Sequence, residues 1–322
     1  MLLKNFRPAP RLVTRTSKVN RPRIFLRLLV IGATLAVSAC GHAAPPATAS
    51  PVVAWEIPSP TLTSLDTTTL TPTLASTPQP SATPPNWWQP APGLTWQWQI
   101  GDDDINLSLA ADVYDVDLYV DQTILDALHS QGARVICYIS AGSWENWRPD
   151  AGLFPREVLG QTMDVWPDER WLDIRQIDKL APILRARLDL CQQKGFDGLE
   201  PDNLEVVENG TGFPLLAADE TRFALWLAEE AHARGLAIGQ KNAPHQTPAL
   251  VGVYDFAITE DCFAYGWCEQ MQPYLAAGKP VLAAEYTDME INFVSACKLA
   301  ADLNLSMILK ERDLTAWRAT CP

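Results

Sequence analysis

The sequence predicts a (β/α)₈ barrel over residues 91–322, preceded by a leader and a disordered Pro/Thr-rich tether. After Trp96, eight short apolar or β-branched segments alternate with helical patterns, which is typical of a parallel α/β fold. Roughly 230 residues hold them, which is the size of a closed eight-stranded barrel. The chain contains no GxGxxG or GxxxxGK[ST] loop, so an open nucleotide-binding sheet is the weaker alternative.

Residues 1–39 are predicted to be a lipoprotein signal peptide. The first 40 residues carry eight Lys/Arg and no acid, and they end in an apolar run over 28–39. That run is too short to span a membrane, which takes about 20 residues, so it indicates a secretory signal. The sequence VSAC at 37–40 resembles a bacterial lipobox. We expect cleavage before Cys40, lipidation of Cys40, and export to the cell surface or outer membrane; the alternative is a soluble secreted protein.

Residues 40–90 are predicted to form an extended linker. Between His42 and Pro90 the chain has 11 Pro, 10 Thr and 5 Ser, and only Glu56 and Asp66 are charged. Such a segment cannot bury enough apolar surface to offset the entropy lost on ordering. We therefore expect a tether between a membrane and a folded unit.

The eight strands are expected at 96–100, 116–120, 134–140, 197–203, 237–242, 255–260, 280–286 and 305–310. Among the helices, the clearest is predicted over 218–234, where Phe223, Leu227 and Ala231 recur at a spacing of four. The segment 101–115 is too polar for a good first helix.

Six cysteines follow Cys40, and an even number in an exported chain suggests three disulfides among fifteen possible pairings. Local structure narrows the choice. Cys137 alternates with Tyr138 along its strand and so faces the helix layer, toward Cys191 at the end of the helix entering strand four. Cys262 and Cys268 close a small loop, which leaves Cys297 to pair with Cys321. A zinc cluster is disfavoured because paired short spacings and histidines are scarce.

Charge narrows the class of ligand. Residues 91–322 carry 17 basic and 36 acidic residues, which argues against nucleic acid, whose phosphates need clustered Lys/Arg. A cationic or neutral ligand fits better. The alternative is that the acidity serves only solubility.

Strand alternation collects ionisable side chains at the carboxyl end of the predicted barrel. Three strands place a carboxylate last on a face that is otherwise small or apolar: Gly198, Glu200, Asp202; Phe256, Ile258, Glu260; Val281, Ala283, Glu285. Lys241 and Lys310 end two further strands. Burial of so many charges makes little sense for stability alone, so we predict a site there. The alternative is that one or two strands are out of phase.

Two carboxylates facing each other across a cleft are the minimum equipment for cleaving a glycosidic bond. The sequence offers no competing machinery, since it has neither a GxSxG elbow nor an HExxH motif. Glycoside hydrolysis is therefore the reaction that the residues favour.

Several runs carry a resemblance to a known family: VICYISAGSWENWRPD (135–150), VWPDERWLDIR (165–175), KGFDGLEPDN (194–203), AIGQKN (237–242), TEDCFAYGWC (259–268) and AAEY (283–286). They resemble the endo-α-1,4-polygalactosaminidases of glycoside hydrolase family 114, a (β/α)₈ family, over roughly 96–321. The resemblance implies that Asp202 and Glu260 are the catalytic pair. Similarity to retaining α-galactosidases makes Asp202 the nucleophile and Glu260 the acid/base. No cofactor or metal is implied.

The implied substrate is an α-1,4-linked galactosamine polysaccharide, cationic or partly acetylated, cut internally by a monomer. On this interpretation Glu200 orients Asp202, the lysines Lys241 and Lys310 keep Asp202 ionised, and accumulated acids raise the pKa of Glu260.

The expected substrate contacts comprise aromatic, acidic and polar side chains. They are Glu285, Tyr286, Tyr138, Ser140, Lys241, Lys310, Asp102, Asp103, Asp117, Glu200, Trp96, Trp98, Trp144, Trp147 and Trp267. Arg148 and Asp150 are expected to fix the loop after strand three. Two alternatives stay open: a non-catalytic carbohydrate-binding lipoprotein, and a hydrolase of another amino polysaccharide.

Overall fold

The computed structural model describes residues 85–101 and 104–322. The predicted leader, Cys40, most of the tether, Asp102 and Asp103 lie outside the described residues. The strands are β1 (Trp96–Gln99), β2 (Val113–Asp117), β3 (Arg134–Ser140), β4 (Ser143–Glu145), β5 (Leu159–Thr162), β6 (Glu169–Leu172), β7 (Gly198–Asp202), β8 (Ala237–Lys241), β9 (Phe256–Glu260), β10 (Val281–Tyr286), β11 (Ser306–Lys310) and β12 (Arg318–Thr320). The α-helices are α1 (Gln122–Ser130), α2 (Ile177–Lys194), α3 (Ala217–His232), α4 (Thr247–Leu250), α5 (Gln272–Ala276) and α6 (Phe293–Leu303).

Eight parallel strands form the predicted (β/α)₈ barrel, in the order β1-β2-β3-β7-β8-β9-β10-β11, and β12 extends β11 antiparallel. A side chain joins the first and last barrel strands, since Trp96 Nε1 donates to the carbonyl of Ser306 at 2.9 Å. Arg318 of β12 also donates to the carbonyl of Trp96. Backbone pairing of β7 with β8 covers Gly198 and Leu199. Pro201, which has no N–H to donate, follows in β7.

The barrel interior is filled by alternate residues of the strands. Its apolar part includes Trp96, Trp98, Phe256, Leu282 and Ile308, all buried. A second, larger apolar layer lies between the strands and the helices. Gly239 is required inside the barrel because a Cβ there would lie 2.3 Å from the ring of Phe256.

The second and seventh strands depart from the sequence expectation. The second runs over Val113–Asp117 instead of 116–120, because Asp115 is a buried strand residue and not a polar boundary. In β10, Leu282, Ala284 and Tyr286 face the interior. The predicted inward face of Val281, Ala283 and Glu285 is therefore wrong: the larger side chains take the interior and Val281 and Ala283 pack against the helices.

The remaining boundaries agree closely. The helix expected at 218–234 is α3, and the segment before β2 forms no helix among its described residues. A three-stranded antiparallel sheet, in the order β4-β6-β5, was not predicted. It is inserted after β3, so it lies at the carboxyl end of the barrel strands, here called the mouth.

The opposite end of the barrel is covered by the segment that leads into β1. Trp87 stacks on His232 with ring centroids 3.9 Å apart, and its Nε1 donates to Asp255 Oδ1 at 3.0 Å. Trp88 lies 6.0 Å from the ring of Phe256, the first residue of β9. The segment thus packs on the bottom of the barrel.

All three predicted disulfides are present: Cys137–Cys191, Cys262–Cys268 and Cys297–Cys321. The first joins the helix-facing side of β3 to α2, as the alternation of side chains required. Among the described residues, no helix combines the length and apolarity needed to cross a membrane.

Candidate active site

Lys241, the last residue of β8, holds three carboxylates together at the mouth. Its Nζ lies 2.9 Å from Asp202 Oδ1, 3.0 Å from Glu200 Oε1 and 3.1 Å from Glu260 Oε2. The lysine is 2% exposed. Burial acts to lower its pKa, but the charges of Asp202, Glu200 and Glu260 outweigh burial and raise the pKa well above the usual range. Lys241 is therefore cationic in this site.

Asp202 is held from two sides. The hydroxyl of Tyr138 donates to Asp202 Oδ2 at 3.0 Å, opposite the Lys241 contact. The next residue, Asn203, has a left-handed backbone with φ of 63°, a conformation that asparagine tolerates better than most residues. That turn lets the Asn203 amide donate to Ser140 Oγ at 2.9 Å.

Glu260 faces Asp202 across Lys241 and accepts two further hydrogen bonds. Tyr286 donates its hydroxyl to Oε1, and Asn242 donates its amide to Oε2 at 3.0 Å. Burial acts to raise the pKa of Glu260, but the Lys241 charge and the bonds from Tyr286 and Asn242 outweigh it and lower that pKa. This corrects the expectation that neighbouring acids raise it, because the cation is in direct contact.

A buried acid pair lies beneath Lys241. Glu200 is wholly buried, and burial is the main cause that raises its pKa to about 7. Asp115, also wholly buried, has its pKa raised by burial and by the charge of Glu200. The sequence did not predict that Asp115 belongs to the site, because an acidic residue at this position suggested that the second strand begins after it. The strand instead begins at Val113.

The floor of the site is aromatic. Lys241 Nζ lies 4.6 Å from the centroid of the Trp98 ring, within cation–π range, and Trp98 stacks on Trp96 at 5.8 Å. Both tryptophans are 1% exposed. They were expected to present rings to sugar, but their side chains point into the barrel interior, so they support the site from below.

The rim near β2 and β3 carries exposed aromatic rings around an arginine. Arg148 binds Asp117 at 2.7 Å and Glu145 at 2.8 Å, so Asp117 is already paired with a cation. Tyr119 and Trp147, both exposed, lie 5.4 and 6.0 Å from the Arg148 guanidinium carbon. Arg148 thus fixes this loop, as expected.

Ser140 belongs to a buried network that supports the rim. Its Oγ lies 2.6 Å from Ser143 Oγ, and Ser143 donates to Glu169 Oε2 at 2.5 Å. Burial is the largest cause that raises the pKa of Glu169 to about 7. Ser140 is fully buried and contacts Asn203 instead of the open mouth.

The model for glycoside hydrolase family GH114 matches residues 77–322. The chain belongs to this family. Among curated proteins, none matches the sequence significantly.

Two solved structures are similar to this barrel. The crystal structure of Aspergillus fumigatus Ega3 in complex with galactosamine is 36% identical, covers 73% of this chain and 97% of Ega3, and superposes with a TM-score of 0.69. The glycoside hydrolase domain of PelA from Pseudomonas aeruginosa is 15% identical, covers 71% of this chain and 99% of that domain, and has a TM-score of 0.59; this likeness concerns the fold. Membership of GH114 makes the protein a glycosidase.

Glu285 lies outside the carboxylate cluster of this GH114 barrel. Its carboxylate accepts the backbone N–H groups of Phe263 and Ala264 at 2.8 and 3.1 Å, so it holds the loop closed by Cys262–Cys268. Burial is the main cause that raises its pKa to about 7. The prediction that Glu285 lines the mouth is wrong, because the predicted alternation of inward and outward side chains along β10 is shifted by one residue from the observed one.

Lys310 ends β11 and is fully buried. It donates to the carbonyls of Thr315 and Trp317 at 2.7 Å each. It therefore holds the chain that follows β11, whereas Lys241 is the lysine that contacts Asp202.

Sequence reasoning also missed Glu205 in the loop after β7. Its Oε2 is buried and has no hydrogen-bond partner among the described residues. Burial, followed by the charge of Asp202, raises its pKa to about 7. Its position three residues after Asp202 could have placed Glu205 near the mouth. The alternation of side chains along β7 ends before this loop, so it could not show where the side chain points.

Proposed function

We propose that this GH114 glycosidase cleaves α-1,4-linked galactosamine-containing polysaccharide internally, with retention of configuration. Asp202 is the nucleophile and Glu260 the acid/base. The observation that carries the proposal is the shared contact of both carboxylates with Lys241.

The shared lysine supports a retaining mechanism. Since Asp202 Oδ1 and Glu260 Oε2 lie 2.9 and 3.1 Å from one nitrogen, these two oxygens are at most about 6 Å apart. Retaining pairs are about 5–5.5 Å apart and inverting pairs about 6.5–9.5 Å. Asp202 then attacks the anomeric carbon as the bond to the leaving oxygen breaks, and Glu260 gives that oxygen its proton. In the second step Glu260 takes a proton from water, which attacks the same carbon and releases Asp202.

The charge of the site supports an amino-sugar substrate. Three acids, Glu200, Asp202 and Glu260, contact one lysine, and the charges of Asp202 and Glu260 also act on a fourth acid, Glu205. Ammonium groups on the polymer add the positive charge that this cluster lacks. The GH114 relative Ega3 was crystallised with galactosamine. The rim rings of Tyr119 and Trp147 supply flat faces for sugars further along the chain.

The protonation of Glu260 sets the expected pH dependence. As general acid, Glu260 must carry a proton, yet its pKa in the free site is lowered. Activity on short neutral oligosaccharides is therefore expected to be highest on the acidic side and to fall as pH rises through that pKa. A profile that stays flat from pH 4 to 8 would contradict the role of Glu260.

Release of reducing ends from deacetylated α-1,4-galactosaminan tests the activity. Wild type should release them, while Asp202→Asn and Glu260→Gln should be slower by about 10²–10⁴-fold. The exposed helix residue Glu229 supplies the matched control, Glu229→Gln, which should behave as wild type. Binding without release indicates the non-catalytic alternative, and equal cleavage of chitosan indicates a different amino polysaccharide. Proton NMR of the first product distinguishes retention, which gives the α-anomer, from inversion.

We also propose that the protein is exported and lipid-anchored through Cys40. The three disulfides support an oxidising compartment, while Cys40 lies outside the described residues. Labelled fatty acid should be incorporated by the wild-type precursor in a bacterial host and not by Cys40→Ala. Equal labelling of both would contradict the anchor.

A further inference from the structure

Arg312, in the loop after β11, is stacked on the ring that serves Glu260. Its guanidinium carbon lies 3.7 Å from the centroid of Tyr286. Tyr286 is 1% exposed and donates its hydroxyl to Glu260 Oε1. The arginine therefore covers the outer face of the residue that orients one oxygen of Glu260.

Arg312 also fixes the backbone that follows Glu260. Its Nη1 binds Asp261 Oδ2 at 2.7 Å, and its Nη2 binds Asp288 Oδ1 at 2.9 Å. Asp261 has a left-handed backbone with φ of 54°, which is unfavourable for a residue with a side chain. Its N–H donates to the carbonyl of Ala284 at 2.9 Å. One guanidinium thus contacts both Asp261, the residue after Glu260, and the ring of Tyr286, whose hydroxyl is hydrogen-bonded to Glu260.

We propose that Arg312 is a positioning residue for Glu260, acting through Tyr286, while its ion pairs with Asp261 and Asp288 hold the guanidinium over the ring. The inference rests on the proposed role of Glu260 as acid/base. A cation over the phenol ring draws electron density from the hydroxyl oxygen toward the ring. The O–H group then becomes more acidic and a stronger hydrogen-bond donor. The planar guanidinium matches both tasks, since it can stack and bind two carboxylates at once, which an ammonium cannot do.

Glu260 is faced by charged or titratable groups from several elements. Lys241 reaches it from β8 and Tyr286 from β10. Its charge also acts on Asp261, the next residue, and on Glu205 of the loop after β7. Asp202 lies on the far side of Lys241. Arg312 is set apart from these groups because it acts on Glu260 through a neighbour.

A double-mutant cycle with Tyr286→Phe tests the route. The quantity compared is the limiting kcat extrapolated from the pH profile, which a change in the Glu260 pKa does not alter. Arg312→Ala should lower this limiting kcat about tenfold with KM nearly unchanged, and should lower it less than twofold in the Tyr286→Phe background, since coupled residues are non-additive. Arg312→Lys, which keeps the charge, should recover only part of kcat. The control is Arg185→Ala, because Arg185 also pairs with an acid, Glu230, and stacks on a ring, Trp226, but on the outer helices. Equal losses of kcat in both backgrounds, or a change in KM alone, would overturn the proposal.

A measurement without substrate separates this inference from the proposed function. Carbon-detected NMR titration of the Glu260 carboxyl, assigned with Glu260→Gln, should give a pKa about 0.5 unit higher or more in Arg312→Ala than in wild type, because a weaker Tyr286 bond stabilises the carboxylate less. Arg185→Ala should match wild type. An unchanged Glu260 pKa in Arg312→Ala overturns the positioning role. A shifted pKa in a protein that cleaves no galactosamine polymer supports positioning and contradicts the proposed function.

Discussion

Lys241 provides the positive charge that contacts three members of the carboxylate cluster directly. It touches Asp202, Glu200 and Glu260 while resting on the face of Trp98. An ammonium has three protons and no fixed plane, so it can serve three acceptors arranged around it. Burial acts to raise the pKa of Glu260, but the charge and hydrogen bond of Lys241 help to lower it.

Replacing Lys241 with methionine should destabilise the protein more at high pH than at low pH. The buried carboxylates would lose their cation, so their folded-state pKa values rise and stability falls as pH rises. At pH 7.5 the expected loss is about 3–5 kcal/mol, and it should shrink at pH 5, where the carboxyls take up protons. Urea unfolding at both pH values measures it. Lys179→Met, at an exposed lysine paired with Glu157, is the control; an equal loss at pH 5 and 7.5 would contradict the argument.

Strand alternation predicted the inward position of Glu260 because Phe256 and Ile258, on the same face of β9, are large apolar residues that fill the interior. It predicted Asp202 because Gly198 and Glu200 share its face of β7. The prediction for Glu285 failed because Val281 and Ala283 on one face of β10 are as apolar as Leu282 and Ala284 on the other. The hydrophobic pattern therefore does not show which face points into the barrel. Contacts such as the stacking of Arg312 on Tyr286 join distant positions in the sequence, and no local pattern encodes them.

At the scale of elements, the loop between β9 and α5 shapes the wall beside Glu260. The Cys262–Cys268 disulfide closes it, and Glu285 binds its backbone. Cys262, Cys268 and Glu285 approach one another within 4.8 Å, but the disulfide occupies both sulfurs, so the group is a structural clamp. The Cys297–Cys321 disulfide instead ties α6 to the segment after β12.

Of two disulfides, the one whose removal costs less stability should be the one whose removal costs more activity. The bonds close segments with separations of 54, 24 and 6 residues, for which loop entropy gives stabilisations of about 4, 3.5 and 2 kcal/mol. Paired Cys→Ser replacement at 262 and 268 should cost the least stability but lower kcat, whereas replacement at 297 and 321 should cost more stability and spare kcat. Thermal unfolding and kinetics of both variants provide the check. A normal kcat after loss of Cys262–Cys268 would show that the loop needs no clamp.

The small sheet β4-β6-β5 holds a carboxyl, Glu169, whose pKa is raised to about 7, chiefly by burial. In the unfolded chain a glutamate titrates at about 4.3. The folded state therefore binds the proton more tightly, and this group disfavours folding increasingly as pH rises from about 4.3 through 7.

Glu169→Gln should accordingly stabilise the protein at pH 8 relative to its effect at pH 5, by up to about 3 kcal/mol. Glutamine keeps an oxygen that can accept the Ser143 hydroxyl but never ionises. Urea unfolding at the two pH values gives the difference, with the exposed Glu229→Gln as control. A difference between wild type and Glu169→Gln that does not change with pH would contradict the assignment.

For the molecule as a whole, the number of predicted strands, the helix layer and the disulfides followed from sequence because each rests on local periodicity and on one rule of barrel geometry. The three-stranded sheet did not follow, because β4–β6 have three or four residues each and such short runs carry no period. Acidity is the remaining global feature: residues 91–322 carry 36 acids against 17 bases.

The acidity should appear as a salt effect that depends on the charge of the substrate. On deacetylated polymer, kcat/KM is expected to fall as salt rises from 0.01 to 1 M, since the Debye length shrinks from about 30 to about 3 Å. On fully acetylated polymer the dependence should nearly vanish, because the ammonium groups are gone. Parallel curves for the two substrates would mean that the acidity serves solubility.

The packing of Trp87 and Trp88 on the bottom of the barrel has a practical use. Because the chain enters the barrel at the end opposite the mouth, a bead, an affinity handle or a fused protein attached ahead of residue 85 should not stand in the path of a long polymer. Attachment at the exposed ring of Tyr265, which lies in the loop beside Glu260, should obstruct that path. Immobilised enzyme for polymer digestion is therefore best coupled through its N-terminal side.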